Sequence, residues 1–148
     1  MNHLKAPLRL IPNESVNGKG HSMKLNTRVR FVTSTKSNSG ISYPNSGVHV
    51  AFVDTNLQTC TMHYIPRLRQ ENEYSHQIVP RFETGYIDDI ELYTPVKSIH
   101  QLWIFPEEGT WNVDKVHVHH NENNSSTFDV DRVIGTDECP AILLHKSD

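Results

Sequence analysis

Apolar and polar residues alternate with a period of two through most of the chain from Asn26 onward, the spacing that puts every second side chain on one face of an extended strand. In Arg28-Val29-Arg30-Phe31-Val32-Thr33, Val29 and Phe31 share a face and the arginines take the other. Gly47–Asp54 sets Val48, Val50 and Phe52 against His49, Ala51 and Val53, and Thr59–Tyr64 alternates through Cys60, Met62 and Tyr64. Gln77–Phe82, Asp89–Tyr93, Ser98–Phe105 and Lys115–His119 continue the run, with Phe128–Ile134 and Ala141–Leu144 as further edge strands. Polar stretches separate them: Lys36–Pro44, the Asp54-Thr55-Asn56 turn, and a long charged loop over Pro66–Ser75. No window carries the apolar spacing of an amphipathic helix. The pattern predicts an all-β fold, an antiparallel sandwich of about eight short strands.

The chain's 148 residues hold one such domain, because a sandwich of about 100 residues is already complete. Residues 25–135 are expected to form it. Residues 1–24, punctuated by Pro7, Pro12, Gly18 and Gly20, read as an extended arm, and residues 136–148 as a tail. Apolar residues make up 36%, below the roughly 45–50% of ordinary globular chains, so the core is modest. A formal charge of −3 excludes the basic footprint of a nucleic-acid binder. No apolar stretch is long enough for a transmembrane helix. Met1–Pro12 lacks the apolar segment of a secretory signal, so an intracellular or organellar site, peripheral to a membrane, is expected over secretion. Cys60 and Cys139 have no Cys-x-x-Cys spacing and are expected as free thiols.

The most distinctive stretch runs from Phe82 to Val118. It reads Phe82-Glu83-Thr84-Gly85-Tyr86-Ile87-Asp88-Asp89-Ile90, then Ile99-His100-Gln101-Leu102-Trp103-Ile104, then Trp111-Asn112-Val113-Asp114-Lys115-Val116-His117-Val118. This resembles the PLAT (LH2) domain, the lipoxygenase-homology β-sandwich with a C2-like shape. That family has an aromatic-x-x-Gly-x-x-Asp-x-apolar turn and strand, an Ile-x-x-Leu-x-Ile strand, and Trp-x-apolar-acidic-basic-Val-x-Val. Phe128-x-Val130-x-Arg132-Val133-Ile134 continues the likeness, which covers roughly residues 26–135. It implies a non-catalytic interaction module that docks to a membrane surface or to a larger, membrane-associated protein assembly as an accessory subunit. Apolar loop tips then touch lipid or partner, and Tyr43, Trp103 and Phe105 are the candidates. Trp103 alternates opposite Leu102 and Ile104, so it either projects from the sheet as such a tip or packs under the N-terminal arm. Arg67, Arg69 and Arg81 add attraction to anionic lipid, at about 1 kcal/mol each, which Glu71 and Glu73 in the same loop offset.

The same residues have a physical reading. Gly85 sits where a tight turn needs positive φ. Asp88 is placed to accept backbone N–H bonds across that turn. Trp111 is large enough to plug a sandwich core, its indole N–H bonded to a loop carbonyl. Val48, Val50, Phe52, Phe82, Gly85, Trp111, Val116 and Val118 are the expected structural set. Where the family carries Ala-Gly-Thr-Asp-Ala, this chain has Ile41-Ser42-Tyr43-Pro44-Asn45-Ser46, with Asn45 at the acidic position. Losing that carboxylate weakens a calcium site built on Asn45, Asp54 and Asp88. Val133 stands where the family has a core tryptophan, so packing there must differ.

Two alternatives carry chemistry. His117 and His119, two apart on a strand, share a face and with Glu122 offer ligands to a transition metal. That is the cupin-like, metal-dependent enzyme reading, but the spacing to Gly109 and Glu122 does not match a cupin. Calcium-dependent lipid binding through Asn45, Asp54 and Asp88 is the other. No Gly-x-Ser-x-Gly elbow or Gly-rich phosphate loop is present. Asp88 and Asp89 are adjacent on a strand and face opposite sides, so they cannot serve one bond together. The expectation is therefore a module without a cofactor or nucleic-acid partner.

Overall fold

Strands form where the sequence alternates. The computed structural model describes residues 9–10, 25–54, 59–70, 78–94, 99–121 and 124–145. The strands are β1 (Arg9–Leu10), β2 (Leu25–Thr33), β3 (Val48–Asp54), β4 (Thr59–Ile65), β5 (Leu68–Gln70), β6 (Ile78–Pro80), β7 (Ile87–Thr94), β8 (Ile99–Pro106), β9 (Trp111–Asn121), β10 (Asn124–Ile134) and β11 (Ile142–His145). One sheet has the order β1-β4-β3-β8-β11, the other β10-β9-β2-β7, and β5-β6 is a separate two-stranded ribbon. Without β1 the two main sheets hold four strands each, the eight-stranded antiparallel sandwich the sequence predicts.

Three segments depart from the expected boundaries. Within the arm, Arg9–Leu10 pairs in parallel with Thr59–Cys60, because the outer edge of β4 offers unpaired backbone groups. Within the tail, Ile142–His145 pairs with β8, because Ile142 and Leu144 alternate and reach the core. In the long charged loop, Leu68–Gln70 pairs antiparallel with Ile78–Pro80.

The inner faces of both sheets meet in one cluster. Val29, Phe31, Val113, Val116, Val118 and Ile134 come from the four-stranded sheet, and Val48, Val50, Phe52, Leu102, Ile104 and Ile142 from the other. Trp111 is fully buried among them. Its ring lies 5.8 Å from Phe31 and 5.1 Å from Phe82. Its indole N–H donates to the Thr33 hydroxyl at 3.0 Å, not to the expected loop carbonyl, because buried Thr33 ends the neighbouring strand. Phe82 reaches the core by leaving the strand: its φ is +62°, and its amide donates to Asp88 Oδ2 at 2.9 Å. Burial pushes the Asp88 carboxyl up, while that amide and Arg81 pull it back.

Gly85, expected with the core set, is exposed; its contribution is the turn, at φ +76°. Gly135, at φ +87°, has a second constraint, since a Cβ there would lie 2.1 Å from the Gly109 carbonyl oxygen. At Gly85 the nearest atom to such a Cβ, Thr35 Cγ2, is 3.8 Å away. Gly85→Ala should therefore cost only the backbone strain, about 1–2 kcal/mol. Gly135→Ala should cost clearly more, and urea midpoints of the two variants provide the check.

Candidate docking surface

The register that sends Val48, Val50 and Phe52 inward leaves His49, Ala51 and Val53 on the outer face of the five-stranded sheet. Tyr64, Met62 and Cys60 of β4 stand beside them on one side. Phe105, Trp103 and Gln101 of β8 stand on the other, followed by Leu143 of β11. This sheet is thus apolar on both faces. Ala51, Val53, Cys60 and Trp103 form a second buried cluster, with Ala141 packed against it. Burial pushes the Cys60 thiol up, and Cys60 and Cys139 are both free.

Toward the end where β3 begins, the outer face opens to solvent. Tyr64 is 45% exposed, Met62 and Leu143 each 37%, and Phe105 is half-buried. His49 lies between two aromatic rings, 4.9 Å from Tyr64 and stacked 5.0 Å from Phe105. The Tyr64 hydroxyl donates to Glu107 Oε1 at 2.8 Å. That hydroxyl and the Gly47 amide hold the Glu107 carboxyl below its usual range, while partial burial and the Glu107 charge push the Tyr64 hydroxyl up.

Tyr43, 53% exposed, stands on the adjoining loop. That loop is fixed to residues 107–110: the Ser42 amide donates to Thr110 O at 2.9 Å, Glu107 to Gly47 O at 2.9 Å, and Glu108 to Ser46 Oγ at 2.8 Å. From the other side, buried Arg67 donates to Ile41 O at 3.2 Å and Tyr43 O at 3.0 Å, and pairs with Glu83. A single guanidinium thus sets the loop that presents Tyr43.

Of the expected docking residues, Tyr43 and Phe105 lie at this surface. Trp103 does project opposite Leu102 and Ile104, but it is 7% exposed and not an open tip. Its neighbours on β3 and β4 are apolar on that side too, so the ring is covered within the second cluster. Arg67 is likewise not a lipid-facing cation, since two carbonyls of that loop and the Glu83 carboxylate hold it. Arg81 donates to Pro66 O at 2.8 Å. Sequence reading missed Tyr64, Met62, His49 and Leu143, although Gly47–Asp54 carries apolar residues at both parities.

The proposed metal ligands separate. Asn45 and Asp88 lie near the loop end, while Asp54 ends β3 at the opposite end, a strand length of about 20 Å away. His117 and His119 face outward from the four-stranded sheet while Val116 and Val118 face the core, and Glu122 lies outside the described residues. Among the described residues, no three His, Cys, Asp or Glu side chains come together as ligands. Asp88 and Asp89 do face opposite sides: Asp88 caps Phe82, and Asp89 pairs with Arg30 on the outer face. Val133, where the family has tryptophan, is 43% exposed.

The fold is that of a PLAT-like β-sandwich. The chain is similar to coral 8R-lipoxygenase, a structure described in terms of calcium activation through a C2-like domain, with TM-score 0.59 and 13% identity over 81% of this chain. It is also similar to a lipoxygenase variant solved with arachidonate, with TM-score 0.57 and 12% identity over 82% of this chain. It spans only 16% of the length of either. By sequence, the chain belongs to the family described as Domain of unknown function (DUF7755), whose model matches residues 26–136. No curated protein matches it.

Proposed function

We propose that this chain is a non-catalytic docking module that binds a protein partner, as an accessory subunit of a larger assembly, through the outer face of its five-stranded sheet. The observation that carries this reading is the aromatic strip Tyr64–His49–Phe105, continued by Met62, Leu143 and Tyr43. Aromatic residues and methionine are the types enriched in protein interfaces, and a contiguous apolar patch on a small domain is rarely idle. The charges beside it favour protein over anionic lipid. Glu107 and Glu108 are exposed at the same end, and Arg67 is turned inward. Free Cys60 and Cys139 support an intracellular or organellar location.

Met62→Asp and Leu143→Asp test the reading, because both side chains are partly solvated and their loss leaves the inner core intact. Each variant should keep the wild-type melting temperature within a few degrees, as expected of surface changes. Each should lose the protein that co-purifies with the tagged wild type from its native source. Flotation with phosphatidylcholine–phosphatidylserine vesicles should be negative. Retention of the partner by both variants would remove this face from the account. Flotation that Met62→Asp abolishes would assign the face to membrane.

A further inference from the structure

The opposite side of the sandwich carries a different chemistry. Register across β10, β9, β2 and β7 aligns Ser125, His119, Arg28 and Glu91 in one row. The next row holds Thr127, His117, Arg30 and Asp89. Most of these side chains line a groove of about 290 Å³ on the outer face. One carboxylate, Asp89, is among the lining residues. It is already engaged by Arg30 in two bonds, at 2.7 and 3.0 Å, and Arg30 holds it below its usual carboxylate range. Glu91 stands across from Arg28 but does not line the groove, and its Oε1 accepts from the Tyr93 hydroxyl at 3.4 Å. Lys115 and Asp129, one row further, pair with each other at 3.6 Å.

Arg28 therefore differs from its neighbours. It is exposed and has no ion-pair partner among the described residues. Around it stand donors. His117 Nδ1 lies 2.8 Å from the Thr127 hydroxyl. With that hydroxyl donating, the imidazole carries its proton on Nε2. His119 and Ser125 flank Arg28 in the same row. Arg28 also acts on Asp89 through its charge, but its guanidinium donors are taken up by no ion pair of their own among the described residues, and with two imidazoles and a hydroxyl beside it they offer the donors that suit an oxyanion.

We propose that this groove binds a phosphate group, held by Arg28 with His117, His119 and Ser125. It lies on the sheet facing away from the docking surface, so ligand and partner can be bound together. The test is a titration of the full chain with inorganic phosphate at fixed pH and ionic strength, followed by amide NMR shifts and with chloride as control. Arg28, His117 and His119 should shift and saturate. Arg28→Gln should weaken binding about tenfold, the size of one charge-assisted hydrogen bond. Arg28→Lys should retain part of it, and His119→Gln should weaken it independently of any effect at position 28. Shifts that chloride reproduces, that never saturate, or that Arg28→Gln leaves unchanged would overturn the proposal. Vesicles of phosphatidylcholine with phosphatidic acid distinguish the source. Flotation lost in Arg28→Gln but kept in Met62→Asp assigns a lipid headgroup, and saturable phosphate binding without flotation assigns a soluble phosphate ester.

Discussion

Trp111→Ala should destabilise the protein by about 3–5 kcal/mol, the range for emptying a large aromatic site in a close-packed core. The ring is fully buried and touches Phe31 and Phe82, which themselves meet edge to face at 5.6 Å. Removing it opens a cavity that these rigid rings cannot close. It also leaves the Thr33 hydroxyl, 1% exposed, without its indole partner, a further cost of about 1 kcal/mol or more. Domains of this size have about 5–15 kcal/mol in total, so the variant should sit near its unfolding threshold. Trp111→Phe should recover part of the loss, and adding Thr33→Val to it should recover more by removing the orphaned hydroxyl. Urea unfolding of the single and double variants measures all three steps. A Trp111→Ala variant within about 1 kcal/mol of wild type contradicts a core built around this ring.

The second large effect is a loss of stability on acidification through one histidine. His63 is 5% exposed on the inner face of β4, with its ring 5.5 Å from Phe52. Its Nε2 has no hydrogen-bond partner among the described residues. Burial lowers its pKa to about 4. In the unfolded chain a histidine titrates near 6.5, so as pH falls below that value the unfolded state takes up a proton that the native state refuses. The contribution is complete above about pH 6.5 and is lost as pH falls toward 4, at about 1.4 kcal/mol per unit and about 3 kcal/mol in all. His63→Leu lacks the titrating group. The stability difference between wild type and His63→Leu, measured by urea at about pH 7.5 and about pH 4.5, should therefore move by most of that amount in favour of the variant as the solution is acidified. Carboxylates common to both proteins cancel in the difference. Parallel pH profiles for the two would show that the imidazole is not held neutral in the core.

The strand pattern was legible where core-facing residues repeat every second position, a spacing that does not keep to one face of a helix. Val29 with Phe31, Val48 with Val50 and Phe52, and Val116 with Val118 all point inward as read. Gly85 and Asp88 were legible for a local reason, since a turn needing positive φ and a capping carboxylate leave a short-range signature. Trp103 was misread because period two assigns a face but says nothing of what covers it. Its cover depends on Ala51, Val53 and Cys60, brought alongside from other strands. Arg67 was misread for a similar reason: its acceptors, Ile41 O and Tyr43 O, are backbone atoms more than twenty positions away, and no side-chain pattern marks them. The two-residue β1 is too short to show a period, and its pairing depends on the open edge of β4, whereas Ile142 and Leu144 of β11 alternate as the sequence reading of Ala141–Leu144 expected. The exposed aromatic strip was half legible. Tyr43 and Phe105 carried a signal as aromatics near loops, but Tyr64 and His49 join them only through the β3–β4 and β3–β8 registers.

Those registers also give the most direct test of the docking account. A photo-crosslinking amino acid placed at Met62, on the outer face of the five-stranded sheet, should yield one discrete adduct with a protein when activated in the native source. The same probe at Asp129, an exposed position on the outer face of the opposite sheet, should not yield that adduct. An adduct from Asp129 with none from Met62, or the same diffuse background from both, contradicts docking through the aromatic face.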